Sequence, residues 1–186
     1  MHRLLLVCLV ATILGATDGC GCTNNARDEA RRQYIDKLKS YVPADVLPTV
    51  PEDFYTYPGF RDWWRFPLVY PYSIHAIDDL GRGHVHRHSK GQRIAHAEEE
   101  QLEIADLTHL SFDGSFMVAR VDPNPPPSRD AGDALEPAYW IVFSFETGTS
   151  DRFASEAEAI SSAKEQGFAG SVKLESVETH YNRCFR

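Results

Sequence analysis

The spacing of hydrophobic and polar positions changes several times along this chain, and each change marks an element. Over residues 26–42 the apolar positions Ala30, Tyr34, Ile35, Leu38, Tyr41 and Val42 recur at helical spacing between charged residues, which predicts an amphipathic helix packed on the domain. Asn24 or Asn25 can cap its start, and Pro43 stops it. Over residues 43–71, prolines at 43, 48, 51, 58, 67 and 71 forbid a long helix and favour extended or turning backbone. Residues 66–77 are rich in β-formers, and Leu80-Gly81-Arg82-Gly83 marks a turn before His84-Val85-His86-Arg87-His88. Residues 108–112 and 115–121 flank Asp113-Gly114 and predict a hairpin, because Asp-Gly tolerates the positive φ angles of a two-residue turn. A further strand is expected over 139–145, turned back by Glu146-Thr147-Gly148-Thr149. Ser155 and Glu158 form a capping box for a helix running to about Gln166, where Gly167 supplies the stop. The fold class is therefore α+β: an antiparallel sheet with an N-terminal helix and a C-terminal capped helix packed against it.

The first residues follow a different logic. Met1-His2-Arg3 leads into an apolar run of about 13 residues that ends in small residues and Cys20-Gly21-Cys22, the pattern of an export signal too short to span a bilayer permanently. This start resembles that of bacterial lipoproteins, whose signal stops directly before a lipidated cysteine. Cys20 is then the lipidated residue, and ordinary cleavage near Gly19 or Gly21 is the alternative. The expected organisation is a signal peptide over 1–19, a tether over 20–25 and one domain over 26–186, with a Pro-rich loop at 122–137. With Cys8 removed in the signal, Cys20, Cys22 and Cys184 remain. Lipidation of Cys20 would leave Cys22 and Cys184, which either close a disulfide or stay apart if Cys22 sits in a loose tether.

Charge narrows the partners. With 27 acidic and 19 basic side chains the net charge is −8, which argues against general nucleic-acid binding. Any membrane contact is expected to come through the lipid, since no second apolar run is long enough to cross a bilayer.

Three groups of residues carry candidate chemistry. Rings crowd residues 54–72, and within them Trp63 and Trp64 are adjacent, so in an extended segment they face opposite ways and one is available as a partner-binding anchor. His84, His86 and His88 alternate on a predicted strand. Neighbouring pairs can converge on Zn²⁺ or Ni²⁺ if His75, His96, His109 or a carboxylate completes the set. The competing reading is a solvated face paired with Glu98, Glu99, Glu100 and Glu103. His109, Ser111 and Asp113 have the residue types of a hydrolytic triad, but they stand in a row on one hairpin, and no catalytic or cofactor motif accompanies them.

The segment Tyr139-Trp140-Ile141-Val142-Phe143-Ser144-Phe145-Glu146-Thr147-Gly148, continuing through Phe153-Ala154-Ser155-Glu156, resembles a strand, turn, strand and capped helix of small bacterial lipoproteins and some immunity proteins against toxins. The resemblance implies a non-enzymatic binding role and carries over no functional residue. The expected function is an exported, lipid-anchored binding protein of the cell envelope, without cofactor or catalytic activity, acting on a protein or envelope component. An immunity-like inhibitor of a secreted toxin and a metal-binding lipoprotein are the alternatives. Intact-mass spectrometry of the membrane fraction is expected to give a mature chain that begins at an acylated Cys20; a soluble form with unmodified Cys20 would overturn this.

Overall fold

The computed structural model describes residues 21–89, 94, 100–123 and 136–186, with the side chains of 21–24 excepted. Residues 1–20, and with them the signal and Cys20, lie outside the described residues, as does most of the Pro-rich loop. Among the described residues ten strands form two five-stranded antiparallel sheets. The first sheet runs in chain order: β1 (Gly59–Phe60), β2 (Trp63–Pro67), β3 (Tyr72–Ile77), β4 (His84–Arg87) and β5 (Glu100–Gln101). The second has the order β10-β6-β7-β8-β9, built from β6 (Leu107–Phe112), β7 (Phe116–Val121), β8 (Tyr139–Ser144), β9 (Ser150–Phe153) and β10 (Glu175–Ser176). Helices α1 (Gly21–Ser40), α2 (Glu156–Glu165) and α3 (Val177–Phe185) complete an α+β fold.

The largest core lies between the sheets. Strand alternation sends Phe66, Tyr72, Ile74 and Val85 inward from the first sheet to meet Leu110, Met117, Ala119, Ile141 and Phe143 from the second. A register shift between Leu107 and His109 lets both Leu107 and Leu110 face this core. The intervening residues of β7 and β8, Val118 and Val142, point the other way and are covered by Ala159 and Ala163 of α2. A third cluster joins Leu38 of α1 to Phe54, Tyr55 and Ile94.

Several boundaries depart from the sequence reading. Residues 21–25, where a tether was expected, are helical and belong to α1, which ends at Ser40. Ala30 is exposed, and the buried stripe begins at Tyr34. The stretch 66–77 is two strands, because Pro67 closes β2 and the chain reverses before Tyr72, whose N–H bonds Val69. In the β6–β7 hairpin neither Asp113 nor Gly114 takes positive φ. The Asp113 carboxylate instead accepts from the N–H groups of Ser115 and Phe116 at 2.7 and 2.9 Å and organises the turn.

Helix α3 was not expected. Ser176 caps it by accepting from Thr179 N at 3.2 Å, and it buries Val177, His180, Tyr181 and Cys184. Cys184 is a free thiol inside the main core, and the side chain of Cys22, its possible disulfide partner, lies outside the described residues.

The predicted α2 cap is present, with Ser155 Oγ accepting from Glu158 N at 3.3 Å and Gly167 at φ +103° ending the helix. Ser155→Ala is expected to cost about 1 kcal/mol in chemical denaturation. An unchanged midpoint would mean that packing of Ala159 and Ala163 alone holds α2.

Candidate functional site

The outward face of the first sheet carries Trp63, His84 and His86 of the residues that the sequence marks. Cross-strand register aligns Phe60 with Trp63 and Ile77, then Arg65 with His75 and His84, then Pro67 with Ser73, His86 and Gln101. Residues directly opposite share a face, so one side of this sheet is a layer of rings and hydrogen-bonding groups. Part of it is fully covered: Arg65 and Ser73 are buried, as is His75. Arg65 donates through Nη1 to the Phe54 carbonyl at 2.8 Å, and its guanidinium lies over the Phe54 ring. The coil before β1 thereby lies over this layer.

His75 sits at the centre. Trp63 Nε1 can only donate, and it lies 3.3 Å from His75 Nδ1, so that nitrogen carries no proton. His75 Nε2 then donates to Ser73 Oγ at 3.1 Å. The His75 ring stacks on His86, with centroids 3.8 Å apart and planes 13° apart.

This packing decides how the histidines are used. Parallel stacked rings offer each other their faces, whereas two ligands of one metal must aim lone pairs at a common point. His84 lies against Gln101 at 3.4 Å, and His88, beyond the end of β4, is buried between Phe54 and Tyr70. The expected trio is thus divided among three environments. His109 belongs to the other sheet, and His96 falls outside the described residues. Among the described residues no three His, Cys, Asp or Glu side chains are grouped as metal ligands.

The tryptophans divide as alternation requires. Trp64 packs on the main core, while Trp63 faces outward against Tyr57 and His75. Both are partly buried, so neither alone is the exposed anchor expected of the pair. Exposure belongs to their neighbours in the same row: Phe60 is 63% and Ile77 56% exposed. In the sequence Phe60 is one of the rings crowding residues 54–72, with nothing to set it apart; cross-strand register assigns its place.

His109, Ser111 and Asp113 do not converge. Asp113 also accepts from Ala169 N at 2.6 Å and is fully used in backbone hydrogen bonds, while His109 Nδ1 lies 3.2 Å from Thr108 Oγ1. Ser111 and Asp113 both line a cavity of about 400 Å³, together with Tyr34, Glu175, His180 and Arg183. Sequence reasoning missed this group, because its members come from α1, β6, β10 and α3.

In that cavity His180 is a buried connector. The Leu110 carbonyl, 3.2 Å from Nε2, can only accept, so Nε2 carries the proton and Nδ1 accepts from the Tyr34 hydroxyl at 3.1 Å. One ring thus ties α1, β6 and α3 together. Burial pushes the His180 pKa below 6.5, outweighing the Leu110 carbonyl and Glu175, which pull it up. Arg183 grips Glu175 through both guanidinium ends and holds that carboxyl below its ordinary range.

No family model, no curated protein and no solved structure matches the chain.

A lowered histidine pKa means that the unfolded chain takes up the proton first. The stability from neutral His180 is complete above about pH 6.5 and is lost as pH falls through the lower folded value. The loss of thermal midpoint on acidification from about pH 7 to 5 is expected to be smaller in His180→Gln than in the native protein. Equal losses in both would assign the acid sensitivity to other groups.

Proposed function

We propose that the protein is an exported, lipid-anchored binding protein of the cell envelope, held at the membrane through Cys20 and engaging a protein partner through the Phe60, Trp63 and Ile77 row. The supporting observation is the exposure of Phe60 and Ile77 in register on either side of Trp63. Single exposed apolar residues are ordinary on a protein surface, but an aligned row with an aromatic centre is the composition of an interface anchor. The row stands on hydrogen-bonded strands, so binding requires little ordering. The Arg61 guanidinium over Phe60 adds a cationic edge, with centroid distance 5.0 Å.

Asp62, Asp78 and Asp79 are exposed at the turns that flank the row. Their charge favours a basic partner surface. That acidic rim is the observation that favours the second reading, an immunity-like inhibitor of a secreted toxin, for a toxin with a basic contact surface.

Pull-down with the intact exported protein is the test. Phe60→Ala is expected to remove the captured partner while changing folding stability by no more than about 0.5 kcal/mol. Trp64→Ala, acting on the core side of the same strand, is expected to lose about 3 kcal/mol of stability. Capture that survives Phe60→Ala and Ile77→Ala together would place the binding surface elsewhere.

A further inference from the structure

Although the protein is acidic, its described residues form a conspicuously basic cleft. Helices α1 and α3 pack with opposite chain direction, since Tyr34 meets His180 and the Arg31 guanidinium lies over the later Phe185 ring at 5.7 Å. Beside this contact the helices leave a cleft of about 380 Å³. Arg27, Arg31, Lys37, Arg183 and Arg186 line it, and no carboxylate side chain does.

The cations are largely uncompensated. Arg183 is held by Glu175, while Arg27, Arg31, Lys37 and Arg186 form no ion pair with the described residues. Arg27, Arg31, Tyr34 and Leu38 follow one another at helical spacing, so the stripe that is buried at Leu38 becomes cationic toward the start of α1. Packing would favour apolar side chains there, and like charges four residues apart repel. Arg183 and Arg186 complement the negative end of the α3 dipole, a local role that Arg27 and Arg31 lack. An anion in the cleft would relieve the repulsion, and guanidinium groups match phosphate oxygens in pairs.

We propose that the cleft between α1 and α3 binds the phosphate headgroup of an anionic membrane lipid. This rests on the reading of Cys20 as the lipidated residue. Gly21, the residue after Cys20, is already helical, and Arg27 and Arg31 lie only about 9 and 15 Å of helix rise from it. At that distance the anchor delivers the cleft to the headgroup layer, and the headgroups fix how the domain sits on the membrane.

The test uses the processed full-length protein, purified in nonionic detergent and titrated calorimetrically with short-chain lipids below their micelle concentrations. Dihexanoyl-phosphatidylglycerol is expected to bind more than roughly tenfold tighter than dihexanoyl-phosphatidylcholine, and more weakly as salt is added. Arg27→Gln with Arg31→Gln is expected to abolish that preference at unchanged thermal midpoint. Equal binding of the two lipids, preference retained in the variant, or binding of inorganic phosphate alone would each overturn the proposal. If that double variant fails to fold, Arg186→Gln provides the same comparison at the cleft's other wall. Intact mass of the same preparation reports acylation of Cys20 separately, so failure of the anchor and failure of headgroup binding are read from different measurements.

Discussion

Among the described residues the two sheets meet through one backbone junction, where Gly83 and Leu107 exchange N–H to carbonyl hydrogen bonds of 2.9 Å in both directions. The junction tolerates no side chain on Gly83, since a Cβ there would run into Ile74 Cγ2. From this point Leu107 enters the core at the start of β6, and the register shift beyond it brings Leu110 onto the same face. The Leu110 carbonyl then receives His180, which fixes α3, and through Tyr34 the start of the buried half of α1. A small residue at one crossing thus sets the alignment on which the sandwich and its helices depend.

Local features were the legible ones. The β7 and β8 strands and the capped α2 follow from alternation and from a Ser-x-x-Glu box, which need only neighbours in sequence. The division into two sheets was hidden, because strand partners are chosen by contacts across long sequence distances. Helix α3 was legible in principle: Val177, His180, Tyr181 and Cys184 are spaced i, i+3, i+4, i+7. Its stripe was obscured because it is short and half of it is His and Cys. The hairpin turn was placed correctly but for the wrong reason, since Asp113 acts through its carboxylate and not through its backbone.

The candidate site shows the same division. Alternation separated Trp63 from Trp64, and that much needed no structure. Register then brought in Phe60, Ile77 and His75, residues that no spacing rule could join to Trp63. The histidine series looked like a ligand set because three members share a period. In the folded chain each is claimed by a different neighbour: Gln101 for His84, the His75 ring for His86, and the Phe54 and Tyr70 rings for His88. Periodicity places residues on a face; what faces them is decided by the rest of the fold.

Cys184 carries a consequence of another kind. Its thiol is fully buried, and burial pushes its pKa up to about 12. A thiol that stays protonated and enclosed neither oxidises nor reacts with an alkylating reagent, since both need an accessible thiolate. Its modification therefore requires α3 to part from the sheets. Alkylation at this position, read peptide by peptide, becomes a clock for rare openings of the C-terminal helix in an otherwise native population, with no label added to the protein.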